Sequence, residues 1–227
     1  MQHVLITGAN RGIGLQLTKH YLQAGWQVIA TYRNAYDNDA LQALECPQLA
    51  MLQVDVNRDE DLRNLATHLH GRGLDLVINN AGIYGPRDQT LGTIERQVWR
   101  NLLEVNTISP LMLAQALADN LAQNQGTLAI ISSKVGSIDD NSGGAGYMYR
   151  SSKTAVNQVT KSLSIDLAPR QIKVVALHPG WVQTDMGGPN GLITVTESVA
   201  GLTNVIANLT SAQSGHFINY DGTGINW

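Results

Sequence analysis

Tyr149 and Lys153 stand four residues apart in a stretch where Val156, Val159, Leu163 and Leu167 recur at three- and four-residue steps. That spacing predicts an amphipathic helix carrying a phenol and an ammonium one turn apart on one face. Tyr147, six residues before Lys153, falls on a different face. A free phenol titrates near 10, so drawing it toward neutrality takes roughly 4 kcal/mol of preference for the phenolate. A neighbouring ammonium supplies part of that, which makes Tyr149 a general acid or base for a substrate oxygen. The pair alone is weak support, because four-residue spacing asks little of a helix. Ser132 and Ser133, ending the apolar run Leu128 to Ile131, add hydroxyls that could hold the same oxygen.

A second constellation can hold phosphate. Thr7-Gly8-Ala9-Asn10-Arg11-Gly12-Ile13-Gly14 directly follows the apolar run Val4 to Ile6 and precedes the helical Leu15 to Ala24. Glycines let the backbone turn sharply and approach a diphosphate, while a helix N-terminus offers free N–H groups and a positive dipole end. The end of the second apolar run reads Thr31-Tyr32-Arg33, with no carboxylate there to receive ribose hydroxyls or repel a 2′-phosphate. Arg33 and Arg11 can pair with such a phosphate from two sides, which favours NADP over NAD.

The elements that must position these groups follow from the apolar pattern. Val4 to Ile6, Val28 to Ala30, Leu49 to Val54, Leu74 to Ile78, Leu128 to Ile131 and Val174 to Leu177 are short continuous runs separated by helical periodicity. Continuous runs are expected of strands covered on both faces, so the chain reads as α/β, a single-domain doubly wound parallel sheet spanning residues 1–227. Such sheets bind ligands beyond the carboxyl ends of their strands. Asn79, Ser133 and Pro179-Gly180 all fall where a run ends. The helix including Glu104, Asn106 and Leu111 contains Pro110, which has no N–H, so the Asn106 carbonyl loses its helical partner and a bound water is its natural replacement. Asn141 to Gly146 reads as a surface loop.

Taken together these motifs resemble the short-chain dehydrogenase/reductase family, from the TGxxxGIG loop at Thr7 through Asn80-Ala81-Gly82, Ser133, Tyr149 and Lys153 to Pro179-Gly180, Val182 and Thr184. The closing Phe217 to Gly222 is similar to small carbonyl-reductase and cell-signalling members of the sniffer and C-factor kind. The resemblance implies a Rossmann fold and hydride exchange between NADP(H) and a carbonyl or alcohol. It singles out Ser133 over Ser132 as the catalytic hydroxyl, and gives Asn106 a water that links Lys153 to solvent as a proton relay. Lys153 would also fix the nicotinamide ribose. Cofactor contact is implied for Gly8, Asn10, Arg11, Gly12, Ile13, Gly14, Arg33, Asp55, Val56, Asn80, Ala81, Gly82, Tyr149, Lys153, Pro179, Gly180, Val182 and Thr184. Asp55 corresponds to the residue that accepts from the adenine amino group.

The rest of the sequence bounds these expectations. The chain has 227 residues, 43% hydrophobic and 15% charged, with a formal net charge of −3. No general field draws nucleic acid or an anionic membrane. No apolar segment reaches the roughly 18 to 20 residues of a membrane span. Cys46, the single cysteine, excludes an internal disulfide, no metal is required, and the opening MQHVLITG does not look like a leader, so the cytoplasm is expected. Between Thr184 and a helix near Thr196 few residues remain to close over substrate, which predicts an open, permissive pocket edged by Trp181, Met186, Val135 and Ile138. The resemblance also implies a homodimer through the two long helices before and around the catalytic residues. A regulator that binds NADP(H) without turnover is the competing class, and a methyltransferase on a similar sheet a more distant one.

Overall fold

The computed structural model describes residues 1–227. Seven strands form one parallel sheet in the order β3-β2-β1-β4-β5-β6-β7. They are β1 (His3–Ile6), β2 (Gln27–Tyr32), β3 (Leu49–Gln53), β4 (Leu76–Asn79), β5 (Thr127–Ile131), β6 (Lys173–His178) and β7 (Phe217–Asn219). The helices are α1 (Gly12–Gln23), α2 (Asp39–Gln42), α3 (Asp59–His68), α4 (Arg96–Leu103), α5 (Ser109–Asn124), α6 (Tyr147–Asp166) and α7 (Val195–Ala207). The order reverses between β1 and β4, where both strands pair in register from Val4 with Leu76 to Ile6 with Ile78. Two adjacent strand ends thus diverge into connections on opposite sides of the sheet and leave a crevice between them. This is the doubly wound Rossmann architecture expected of the sequence, helices on both faces.

Alternation along the strands divides the core. Val4, Ile6, Val28 and Ala30 point to the face covered by α1 and α7, against Leu17, Tyr21, Leu202 and Val205. Leu5, Ile29, Val77 and Leu128 point to the other, against Leu65 of α3, Leu117 of α5, and Val156 and Leu163 of α6. The stripe read from Val156 onward is therefore the face by which α6 is anchored, leaving its first turn free to present Tyr149 at the sheet's carboxyl edge. No helix is long and apolar enough to cross a membrane.

The six predicted strands are present, and β7 is an addition to them. Its three residues are too few for a periodic signal. They are held from outside their own segment: Phe217 stacks on Trp227 with ring centroids 5.6 Å apart, and Ile225 N–H donates to the Phe217 carbonyl. The helix expected around Pro110 is likewise resolved differently. Residues Glu104–Ile108 wind as a π-helix between α4 and α5. The backbone N–H and the hydroxyl of Ser109 both donate to the Glu104 carbonyl, the hydroxyl at 3.0 Å. Pro110 then lies in the first turn of α5, where a missing N–H costs least.

Candidate active site

The crevice floor is the glycine turn between β1 and α1. Gly8 has φ +63, a left-handed conformation, and a side chain there would lie 3.1 Å from the Ala81 Cα. At Gly14 a Cβ would stand 2.6 Å from the Asn80 amide and closer still to the Gly8 carbonyl, so the helix can start tight against the strand only with glycine. Asn80 fixes the turn from the neighbouring strand: its amide donates to the carbonyls of Thr7 and Gly8, both at 3.0 Å. The Thr7 hydroxyl in turn accepts from the N–H groups of Asn80 and Ala81 at 3.1 and 3.0 Å. Asn80 is thus a positioning group for the turn as well as part of the groove wall. The N-cap of α1, Arg11, supplies no side-chain cap, which leaves the first N–H groups facing the groove.

Along the groove lie Gly8, Asn10, Arg11, Gly12, Ile13, Arg33, Asp55, Val56, Asn80, Ala81, Gly82, Tyr149, Lys153, Pro179 and Thr184. Three expected contacts are set back from its wall. Gly14 packs inside the turn, Gly180 turns the chain with φ +86 beneath Ile193, and Val182 is buried and bridged to Ile193. Each shapes a lining segment from behind. At the far end Arg11 and Arg33 are both exposed, as two phosphate-pairing groups would be. The reading of a carboxylate-free end is incomplete, however. Asp37, five residues beyond β2, returns to line the groove, and its Oδ2 lies 3.8 Å from Arg11 Nη1.

At the other end the catalytic candidates converge. Lys153 is 5% exposed, its Nζ donates to the Ile131 carbonyl at 2.9 Å and lies 5.8 Å from the centre of the Tyr149 ring. Burial holds its ammonium down to about 8. Tyr149 is also buried, and burial pushes its phenol up to about 12; a hydrogen bond with Ser133 opposes that rise and the nearby Tyr84 adds to it. Desolvation, and not the pull toward neutrality expected from the neighbouring ammonium, therefore sets the phenol in the protein itself. Tyr147 is exposed, as its helical position required.

The two serines separate cleanly. Ser132 is buried, lines the groove and donates to Asn157 Oδ1 at 2.6 Å, tying the end of β5 to α6, whereas Ser133 is set back from the groove lining and lies within reach of the Tyr149 phenol. Asn106 is 1% exposed on the π segment. Its amide clamps Ile83, accepting from the N–H at 2.9 Å and donating to the carbonyl at 2.8 Å, and also donates to the Ser152 hydroxyl at 3.0 Å. A Cβ on Gly82 would come 3.2 Å from Asn106 Oδ1 and 3.7 Å from Lys153 Nζ, so this glycine is where the three elements meet.

Two residues here escaped the sequence reading. Tyr84 lies over Tyr149 with ring centroids 4.6 Å apart. Gln89 is buried, accepts from the Tyr149 backbone N–H at 2.8 Å and donates to the carbonyls of Tyr84 and Pro86. The only sequence signal was their place just after the Asn80-Ala81-Gly82 turn. Of the expected pocket rim, Met186 lines the groove, Trp181 is half-exposed and bonds the Gly187 carbonyl, Ile138 is exposed, and Val135 packs beside Tyr149.

Comparison with known proteins agrees with this geometry. A family model described as short chain dehydrogenase matches residues 2–192. C-signal of Myxococcus xanthus is 38% identical over 167 residues, covering 73% of this chain and all of that protein. Among solved structures, the carbonyl reductase Sniffer of D. melanogaster superposes with a TM-score of 0.95 at 36% identity over the full length of both chains. An NADPH-bound carbonyl reductase from chicken fatty liver superposes with a TM-score of 0.92 at 37% identity, covering 100% of this chain and 99% of that one.

Proposed function

Because the chain belongs to the short-chain dehydrogenase family, we propose that it is an NADP(H)-dependent carbonyl reductase in which residues 1–227 work as one catalytic domain. The observation that carries this reading is the convergence of a buried phenol, with Ser133 beside it, and a buried ammonium at one end of a groove whose other end carries Arg11 and Arg33. A glycine turn that a Cβ would obstruct, beside open helical N–H groups, fits a dinucleotide diphosphate. NADPH-bound and NADP-bound neighbours of similar sequence support the choice of cofactor.

Bound NADPH supplies a hydride from C4 of its nicotinamide to the carbonyl carbon. Ser133 donates a hydrogen bond to the carbonyl oxygen and holds it beside Tyr149. The Tyr149 phenol then delivers its proton to that oxygen as negative charge develops there. Lys153 keeps one N–H on the Ile131 carbonyl, and its remaining donors would hold the nicotinamide ribose and support the phenol. Asn106 fixes the Ile83 backbone and α6 through its amide, while its main-chain carbonyl, to which Pro110 can offer no N–H, would take the relay water that returns a proton toward Lys153. Burial holds Tyr149 in its protonated form, the form that can deliver a proton to the carbonyl oxygen.

The short segment from Asp185 to Thr194, with Trp181, Met186 and Ile138 exposed around it, suits a permissive mouth for apolar carbonyl compounds in the cytoplasm. Exposed Ile108 and Ile165, at the ends of the long helices α5 and α6, suit pairing as a homodimer. Light scattering would then give twice the 24.5 kDa of one chain. A dinucleotide-binding regulator would have no use for a desolvated ammonium beside a phenol. The deciding experiment is NADPH oxidation against a panel of aldehydes and ketones by the protein and its Tyr149→Phe variant. Turnover abolished in the variant, with NADPH still bound, is expected. Binding without turnover by either protein would favour the regulator.

A further inference from the structure

The adenosine end of the groove contains a carboxylate for which a phosphate-binding reading has no place. Asp37 is held there by a built set of contacts. The Asn10 amide of the glycine turn donates to the Asp37 main-chain carbonyl at 2.7 Å and to its Oδ2 at 3.1 Å. The same Oδ2 lies 3.8 Å from Arg11 Nη1, and Asp185 Oδ2 lies 4.0 Å from that nitrogen. Arg33 lines the same end without an ion-pair partner, and Asp55 is the remaining charged group along this part of the wall. Arg11 thus already faces two carboxylates before any ligand arrives.

We propose that Asp37 sets the balance between NADPH and NADH by occupying Arg11 and repelling the 2′-phosphate that distinguishes the two dinucleotides. The inference rests on reading NADP(H) as the cofactor, and it deepens that reading at the same site. NADH and NADPH share the diphosphate, so the glycine turn treats them alike. Only the 2′-phosphate meets Arg11, Arg33 and Asp37 together, since the adenosine ribose lies at the end of β2. A dianionic phosphate entering between the arginines comes within a few ångströms of the Asp37 carboxylate. All three side chains are solvent-exposed, so the repulsion is screened, and a like charge at this distance is worth about fivefold in affinity. Two arginines would by themselves make the site strict for NADPH. Asp37 relaxes that strictness and leaves NADH a usable second cofactor.

The test measures dissociation constants for NADPH and NADH with the full chain, its Asp37→Asn and Asp37→Ser variants, and Asp39→Asn as a neighbouring charge control. Asparagine keeps an acceptor for the Asn10 amide and removes only the charge; serine guards against an effect peculiar to the new amide. In both Asp37 variants NADPH should tighten about fivefold while NADH changes less than about twofold, and high salt should shrink the gain. Asp39→Asn should move neither. An unchanged NADPH-to-NADH ratio, or one shifted toward NADH, in variants that still bind both dinucleotides overturns the role of Asp37 and leaves the cofactor reading standing. A wild-type protein that binds neither dinucleotide, or NADH alone, overturns the cofactor reading and this inference with it.

Discussion

The two ends of the groove are built on opposite principles. At the adenosine end Arg11, Arg33 and Asp37 are exposed, their ion pairs are loose at 3.8 to 4.0 Å, and solvent screens them. At the nicotinamide end Tyr149, Lys153 and Asn106 are buried, and the bonds around Lys153 and Asn106 fall between 2.8 and 3.0 Å. A charge at the first end can change without disturbing the fold, so cofactor choice is open to adjustment by single substitutions. At the second end each polar group is both chemistry and structure, and its removal strands a desolvated partner. Selection is therefore placed where variation is cheap, and catalysis where geometry is fixed.

The largest effect should come from the buried end. Tyr149→Phe removes the proton donor and little volume, so carbonyl reduction should fall by about 10³ while NADPH affinity stays within about twofold. Residual turnover within tenfold of the parent would show that another group supplies the proton. Next, Asn106→Ala leaves the Ile83 N–H and carbonyl without their partner, and should lower unfolding free energy by about 2 kcal/mol in a urea titration, together with a loss of turnover. Stability unchanged in that variant would mean that the Ile83 clamp is dispensable.

The exposed end should answer more mildly. Arg33→Ala should weaken NADPH about tenfold in a direct binding titration and leave NADH nearly unchanged, with the difference fading as salt is raised. Equal losses for both cofactors would place Arg33 away from the 2′-phosphate. The smallest effect tests charge at the buried end by pH alone. Lys153 has its pKa lowered to about 8, so its ammonium is present below that pH and lost above it, whereas Tyr149 at about 12 keeps its proton throughout. The kcat/KM for NADPH should accordingly be flat on the acid side and fall about fourfold between pH 7 and about pH 8.5. A profile rising over that interval would contradict the requirement for the ammonium.

The same contrast separates what the sequence makes legible from what it hides. The six longer strands, the glycine turn and the Tyr149-Lys153 pair depend on neighbours within a few residues, so spacing alone reveals them. Family resemblance was needed to choose Ser133 over Ser132, because adjacent strand-end hydroxyls look alike until Asn157 of α6 is seen to claim one of them. Asp37 was hidden because its part depends on a loop returning to Asn10, and Gln89 because its partner is a backbone N–H sixty residues away. The strand β7 exists through contacts with Trp227 and Ile225 that no local pattern encodes. The proline signalled a disturbance near Asn106, yet whether the backbone would kink or widen its winding was decided by Ser109 and its neighbours.

The widened turn has an arithmetical consequence. A stretch wound with five-residue closure carries one residue more than a regular turn, and here that residue lets Pro110 open a helix instead of interrupting one. Excising a residue between Glu104 and Ile108 would set the proline ring in the interior of one continuous helix, against the carbonyl four residues earlier and at a cost of about 3 kcal/mol. The Ser109 bonds to the Glu104 carbonyl and to Asn57 belong to the wide turn and would be lost with it, a short way from where the Trp99 indole holds the Ser151 hydroxyl of α6 at 2.9 Å. The extra residue therefore acts as a spacer, admitting a proline between two helices that both press on the segment bearing the phenol.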